Sequence, residues 1–298
     1  MSGQLFKRVC RVTIYGGKPT IVGRSPQYFE TQSNAIIVEN LRIQFKIEKS
    51  LEKTPNTAEI TITNCNAQTR AFLNAKPLII KLEAGYDDTF RYVIQGDVRT
   101  AFSKVTDDGD WETIIQAAEG DRAYRYARVS RSYTKGANVA TALREAANAM
   151  GLQLAPNIAA SQDLQAQFAT SRTLHGKASD ELTKLLAPYG YHWSIQSGQL
   201  QILKDQNAAP GTAFVVSQST GLLGSPEYAT PDKAGKAPSL KTKTLLYPEL
   251  IAGATISVDS LAVQGLFRIT KLTHTGDTHG DDWSTECESL PASGTRAA

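Results

Sequence analysis

The sequence predicts a mostly β protein with an α+β insert, because the spacing of its apolar residues changes twice. In the first part, apolar and polar residues alternate, as in Leu41–Glu48, which is typical of strands with one buried face. In the middle the apolar spacing becomes that of helices, and short alternating segments return afterwards. We therefore expect three domains, at residues 1-128, 129-204 and 205-298.

The first domain is expected to be a small antiparallel barrel or sandwich. Its predicted strands are segments 41–48, 58–63, 78–84, 92–98 and 111–117. Turn residues separate them, including the acidic stretch 107–110. A short helix is predicted at Asn66–Asn74. The N-terminal segment Phe6–Ile14 is expected to be a strand that either joins the barrel or reaches a neighbouring subunit.

The middle domain is predicted to contain two helices followed by two strands. The first helix has apolar residues along one face, from Val139 to Met150, with Asn138 as the N-cap and Gly151 at its end. The second starts near Ser179 and ends at Gly190, with carboxylates in its first turn. The strands are predicted at 191–195 and 200–202.

The last domain is predicted to be a second all-β unit. A polar linker is expected at 205–210, and an exposed loop at Pro226–Pro238, where three prolines occur. The predicted strands are segments 214–217, 240–246, 254–258, 265–273 and 283–289. The small, polar tail from residue 291 is expected to be frayed.

The composition argues against several classes of function. The net charge of +3, from 32 basic and 29 acidic residues, is too balanced to indicate nucleic-acid or membrane binding. The three cysteines have no C-x-x-C spacing, so no disulfide framework or zinc site is expected. No apolar stretch has the length of a transmembrane helix or of a signal peptide's core. We expect synthesis in the cytoplasm.

The candidates for catalysis are few. No Walker A, dinucleotide-binding or G-x-S-x-G motif is present, so no cofactor and no catalytic residue is predicted. The one dense cluster of histidines and carboxylates is His274–Asp282, which could hold a divalent metal. The alternative reading is a polar hairpin tip between two strands, and it is favoured because glycines interrupt any helical metal motif. His175 and His192 stand alone and are interpreted as structural.

A run of arginines and tyrosines is the main candidate for a binding surface. It consists of Arg122, Tyr124, Arg125, Tyr126, Arg128 and Arg131. Three interpretations stay open: a solvated strand face, a protein–protein interface, or a surface that binds phosphates and stacked bases.

The order of the predicted elements resembles that of a known family. The residues that carry the likeness are Asn56–Ile60, Ala84–Tyr86, Gln95–Gly96, Gly190–Trp193, Thr220–Leu223, Leu245–Leu250 and Phe267–Thr270 with Trp283. In this order, over residues 36–290, the chain is similar to the central baseplate hub proteins of contractile phage tails. That family includes the late-control D-type proteins and the base of type VI secretion spikes.

The resemblance implies two small antiparallel β-barrels flanking an α+β domain, and a homotrimer whose six barrels form a pseudo-sixfold ring. It also implies a tail tube protein on one side, a central spike protein on the other, and further baseplate proteins as partners. DNA would pass through the lumen without specific binding, and the protein would reside in the virion. The family brings no catalytic motif to this chain.

Two other functions are kept as alternatives. One is a metal-dependent cell-wall hydrolase of the tail tip, built on His274–Asp282. The other is a nucleic-acid-binding module, built on the arginine and tyrosine run.

Overall fold

The computed structural model describes residues 7–16, 21–22, 25–26, 35–74, 77–87, 89–154, 162–204, 207–209, 211–230 and 238–292. Of the described residues, 56% are in strands and 17% in helices, which confirms the mostly β class with a few helices. Within the described part of the chain, no helix is long and apolar enough to cross a membrane.

The first nine strands occupy the N-terminal part. They are β1 (Arg8–Gly16), β2 (Ile21–Val22), β3 (Ser25–Pro26), β4 (Ala35–Val38), β5 (Ile43–Ser50), β6 (Thr57–Thr63), β7 (Leu78–Tyr86), β8 (Thr89–Val105) and β9 (Trp111–Ala118). The middle part has β10 (Arg128–Tyr133), β11 (Gln153–Leu154), β12 (Arg172–Lys177), β13 (Tyr191–Gln196) and β14 (Gln199–Lys204).

The C-terminal strands are β15 (Phe214–Ser217), β16 (Leu222–Ala229), β17 (Ser239–Leu245), β18 (Thr255–Asp259), β19 (Gln264–Asp277) and β20 (Trp283–Pro291). The helices are α1 (Ala67–Leu73), α2 (Asp121–Tyr126), α3 (Val139–Met150) and α4 (Ala178–Leu186). Short 3₁₀ turns lie at Gln162–Gln165, Ala187–Tyr189 and Gln218–Thr220.

Thirteen of the strands form one sheet, which joins the N-terminal and C-terminal β units. Its main order is β16-β17-β20-β19-β5-β6-β9-β8-β7-β1-β4, with β18 and β15 attached beside β19. The junction is β19, which pairs with β18 through residues 264–268 and with β5 through residues 271–277. Among the described strands neither half closes on itself, so the two-barrel detail is not confirmed.

The β5–β19 pairing is held by aromatic packing on its buried face. Phe45 lies directly opposite Gly276 in the register, and its ring meets the Trp283 ring edge to face with 5.5 Å between centroids. A Cβ on Gly276 would lie 2.3 Å from the Phe45 ring, so only glycine leaves room for this contact.

Three hydrophobic cores lie along the chain. The first is built from β1 and β4–β9, and Leu246 and Trp283 from the C-terminal part complete it. The second lies between α3, α4 and the three-stranded sheet of β11, β14 and β13. The third is formed by the C-terminal strands. The domain bounds at residues 128 and 204 stay a prediction.

The helix predictions are confirmed in their details. Helix α3 begins after Asn138, whose side chain accepts a hydrogen bond from the Ala140 amide, and ends at Gly151 with a φ of 71°. Helix α1 begins in the same way after Asn66. Helix α4 starts within one residue of the predicted site, and a 3₁₀ turn continues it to Gly190.

Two predictions are corrected. Residues 226–229 were expected in a loop, but they complete β16, an edge strand with an irregularity between Leu223 and Glu227. An edge position and an irregular register both tolerate the missing amide of Pro226. A solvated strand face is one of the open interpretations of residues 122–131, but residues 122–126 lie in helix α2 and a strand, β10, begins only at Arg128.

The N-terminal strand belongs to its own chain, since β1 lies between β7 and β4 in the sheet. Parts of four predicted segments lie outside the described residues: Phe6 of the N-terminal strand, the linker at 205–206 and 210, the loop at 231–237, and the tail from residue 293.

Candidate assembly interface

A buried polar junction connects the N-terminal sheet to the middle domain. Glu119, which follows β9 and is 1% exposed, accepts hydrogen bonds from the Asn56 side chain at 2.8 Å and from the Gly198 amide at 2.8 Å. Asn56 also donates to the Ile195 carbonyl at 2.9 Å, and Gln196 donates to the Ser50 carbonyl at 2.8 Å. The β13–β14 hairpin is therefore fastened to the sheet by hydrogen bonds of the buried side chains Asn56, Glu119 and Gln196.

Lys49 is the charged residue beside this junction and is 1% exposed. Burial lowers the pKa of Lys49 to about 8, and the negative charge of Glu119 opposes that shift. Burial raises the pKa of Glu119, and Lys49 together with the hydrogen bonds opposes that shift in turn. The two charges offset part of each other's desolvation cost. The sequence does not predict this junction, because Lys49 continues an ordinary alternating strand and Glu119 stands in the turn after β9.

The structure changes the interpretation of the His274–Asp282 cluster. His274 lies inside β19 and is fully buried, with its Nδ1 2.9 Å from the Thr285 hydroxyl. Burial lowers the pKa of His274 well below its usual value, so the ring is neutral. Asp277 also belongs to β19, and only residues 278–282 form the turn. The expectation that the whole cluster forms a hairpin loop is therefore wrong at its first four residues.

The carboxylate of Asp277 is already used by its own chain. It pairs with the Arg42 guanidinium at 2.7 Å and accepts hydrogen bonds from the Gln44 side chain and the His279 amide. Burial acts to raise the pKa of Asp277, but these partners outweigh it and hold that pKa at about 2. Among the described residues, no three His, Cys, Asp or Glu side chains come together as a metal site would need. The metal-dependent hydrolase is not favoured.

The arginine and tyrosine run divides into paired and exposed members. Arg122 pairs with Asp97, and its amide donates to the same carboxylate at 3.0 Å. Arg125 pairs with Asp121 at 3.0 Å, and Arg131 pairs with Glu145 at 3.2 Å. These pairings within the chain neutralise charge that a nucleic-acid site would direct at phosphates.

The remaining members differ in exposure. Tyr124 packs against Trp193, with ring centroids 6.1 Å apart, and the Lys177 ammonium lies 4.4 Å from the centroid of the Tyr124 ring. Tyr126 is 70% exposed, and the exposed Arg128 donates to the backbone carbonyls of Arg125 and Ala127. The run therefore does not form one surface, and its role as an interface stays a prediction.

A wide cleft of about 1320 Å³ lies between the middle domain and the C-terminal strands. Ser50–Thr54, the strand β13 and parts of β17, β19 and β20 line it. Its cationic residues are Lys53, Lys204, Lys241, Arg268 and Lys271, against the two carboxylates Glu52 and Glu288. This volume exceeds the range of roughly 300–1,000 Å³ that is typical of small-molecule sites. The cleft has the size and charge to take a segment of an acidic macromolecule.

The tip of the β8–β9 hairpin is an ordered acidic projection. Asp107, Asp108 and Asp110 are all exposed there, and the Thr106 amide donates to the Asp110 carbonyl at 2.8 Å. Asn64 fixes the base of the tip by donating to Asp110 at 2.9 Å and accepting from the Trp111 amide at 3.0 Å.

The main features of the described residues are a continuous thirteen-stranded sheet, a polar cleft and an exposed acidic hairpin tip. The sequence model of one protein family, described as Baseplate hub gp41, matches residues 27–288. The chain therefore belongs to the Baseplate hub gp41 family, and the resemblance drawn from the sequence is confirmed. No curated protein matches the chain significantly.

Solved structures of tail and secretion proteins have similar folds. The 43 kDa tail protein of prophage MuSo2 from Shewanella oneidensis is 10% identical, with 96% of each chain covered and a TM-score of 0.61. The E. coli c3393 protein, a type VI secretion component similar to the T4 tail proteins gp27 and gp5, is 13% identical at a TM-score of 0.56, with 86% of this chain and 76% of that chain covered.

A third similar structure is the Francisella PdpA-VgrG complex, at 10% identity and a TM-score of 0.56. That alignment covers 99% of this chain and 60% of the other. At these identities the structures show a shared fold.

Proposed function

We propose that this protein is the structural hub of a phage tail baseplate, acting as a homotrimeric adaptor. Each chain would supply two similar β units, so that three chains present six units to a hexameric tail tube. The threefold axis would serve a trimeric central spike on the other side. Closed cyclic symmetry of this kind is the usual way in which identical chains build a ring. The site of action would be the baseplate of the virion, after synthesis in the host cytoplasm.

The observation that carries this proposal is membership of a baseplate hub family over most of the chain. The architecture is compatible with it, since one β unit lies on each side of the α+β domain and each has its own hydrophobic core. Two quasi-equivalent barrels per chain would give the pseudo-sixfold ring. Closure of these units would then involve strands of neighbouring copies, because both ends of the sheet, β4 and β16, are edges that can accept another strand.

The relatives support a spike and other baseplate proteins as partners. The c3393 protein is a component of a secretion system and is similar to tail proteins, and VgrG occurs in a complex with PdpA. By analogy we place the spike of this protein at the threefold face. The same proposal includes a contractile tail, because the sequence resembles the hub proteins of contractile phage tails.

Passage of DNA without specific binding is supported by the charges on the polar face of the seam between the two β units. Lys46 pairs with Glu48 at 3.0 Å, and Lys243 pairs with Glu286 at 2.9 Å. Because a carboxylate lies beside each of these two cations, neither pair offers phosphates much net attraction. We propose a non-enzymatic role for the whole protein.

The test is assembly. Purified protein is analysed by light scattering coupled to size exclusion, alone and mixed with the tube protein and the spike protein of the same phage. We expect a trimer that images as a ring with a central hole and binds both partners on opposite faces. A protein that stays monomeric with both partners present would contradict the proposal.

A further inference from the structure

The acidic tip of the β8–β9 hairpin and the basic cleft are complementary surfaces on the same chain. We define the acidic tip as residues 106–111 and the basic cleft as the cavity between the middle domain and the C-terminal strands. The tip has three carboxylates within four residues, whereas the cleft has five cations and two carboxylates. Complementary charge of this kind selects partners and fixes their register.

Several charges on both surfaces are available for a partner. Asp107 and Asp108 form no ion pair with any described residue, and the same holds for Lys53, Lys241 and Lys271 within the described part of the chain. All five residues are exposed. A partner's opposite charges would therefore not have to displace an existing ion pair.

Apolar contacts reinforce the match. Val105 and Trp111, which pair at the base of the tip, are 54% and 39% exposed. The Arg70 guanidinium stacks 4.1 Å from the Trp111 ring and holds it in place. Tyr191 and Leu290 contribute apolar surface to the cleft. A rigid tip loses little conformational entropy when it binds, which favours affinity.

The tip and the cleft of one chain cannot meet. In the sheet, the Trp111 end of β9 leads to the tip, while its Ala118 end lies beside Thr57 and hence beside the β5–β6 turn that lines the cleft. The eight residues of β9 separate the two ends. At about 3.3 Å per residue the separation is roughly 25 Å. Any contact between the two surfaces must therefore join different molecules.

We propose that the acidic tip of one copy binds in the basic cleft of the next copy, as a head-to-tail contact of the assembled hub. This rests on the homotrimer of the proposed function and names residues that hold it together. Two different surfaces in contact form a heterologous interface, which closes into a ring when the rotation between copies divides a full turn.

Charge-swap variants test this contact. Asp107→Lys with Asp108→Lys reverses the tip, and Lys241→Glu with Lys271→Glu reverses two cations of the cleft. We expect each swap to weaken trimer formation about tenfold or more in sedimentation equilibrium, through repulsion of like charges. Combining both swaps restores opposite charges, and we expect most of the affinity to return, as in a double-mutant cycle.

The matched control is Asp281→Lys with Asp282→Lys, which makes the same change in charge at the tip of another hairpin. It should trimerise like the wild type, and circular dichroism checks that every variant is folded. This contact would be overturned if the wild type forms a trimer and both swaps leave its affinity unchanged. It would also be overturned if the combined variant does not recover the affinity that the single swaps lose. In either case the proposed hub function would still stand. A wild type that never trimerises would overturn both.

Discussion

Lys49 shows how one residue can behave differently from its sequence neighbours. It lies in β5, a strand of alternating residues, and its neighbours Lys46 and Glu48 form a surface ion pair. Lys49 lies on the opposite, buried face of β5, where it pairs in register with Leu272 of β19. Water is excluded there, so the ammonium group depends on the charge of Glu119 rather than on hydration.

Stability should therefore depend on pH through Lys49. Its pKa is about 8 in the folded protein against a usual 10.5, so the unfolded chain binds more protons between these values. The free energy of unfolding should rise from pH 8 towards pH 10.5 by up to about 3 kcal/mol from this residue. Below pH 8 the contribution is constant, because the amine is protonated in both states. Urea unfolding at several pH values measures this rise.

The rise should be missing from Lys49→Met, which fills the same space without a titrating group. The exposed Lys53→Met, four residues further along the chain, is the matched control and should keep the wild-type pH dependence. An unchanged slope in Lys49→Met would contradict the assignment.

Strand β19 is the element on which the architecture depends. It pairs with three strands, and its second half connects β5 of the N-terminal unit to β20 of the C-terminal unit. The absence of a side chain at Gly276 lets the Phe45 and Trp283 rings meet at this pairing. The sequence predicts the strand, but the partner on its second edge comes from more than two hundred residues away.

Gly276→Ala should loosen this pairing. The added methyl would overlap the Phe45 ring, and overpacking of a filled core costs about 1–3 kcal/mol. Chemical denaturation should show a lower midpoint for this variant. The adjacent half-buried Thr275→Ala is the control and should change the midpoint less. Equal stability of Gly276→Ala and the wild type would show that the β5–β19 pairing accommodates the added methyl group without a loss of stability.

At the scale of the whole molecule, the continuous sheet should make the two β units open together. Three free cysteines report on this, since all are buried: Cys10 and Cys65 in the first core and Cys287 in the third. Burial raises the pKa of the Cys10 and Cys287 thiols to about 12, which removes the reactive thiolate at neutral pH.

We expect none of the three thiols to react with a thiol reagent in the native protein, and all three to react in denaturant. Variants that keep only Cys10 or only Cys287, with the others replaced by serine or alanine, should be labelled at the same rate in mild denaturant. A rate for Cys287 that differs widely from that for Cys10 would mean that the two β units open separately.

The positions of most strands, the presence of α1, the caps of α3 and the membership of a hub family were predictable from the sequence. Local signals carry them: alternation has period two, and Asn138 and Gly151 satisfy the ends of a helix whatever surrounds it. The interpretation of residues 274–282 as a hairpin tip was correct for residues 278–282, which form the turn between β19 and β20.

What only the tertiary structure decided is how these pieces meet. Three features depend on segments that are distant in sequence. They are the β5–β19 pairing, the burial of Lys49 and His274, and the ion pair of Arg122 with Asp97. A strand's pattern shows which face is buried but does not specify its neighbour, because backbone hydrogen bonds are the same for every partner. The cleft and the acidic tip likewise exist only where the folded chain brings their residues together.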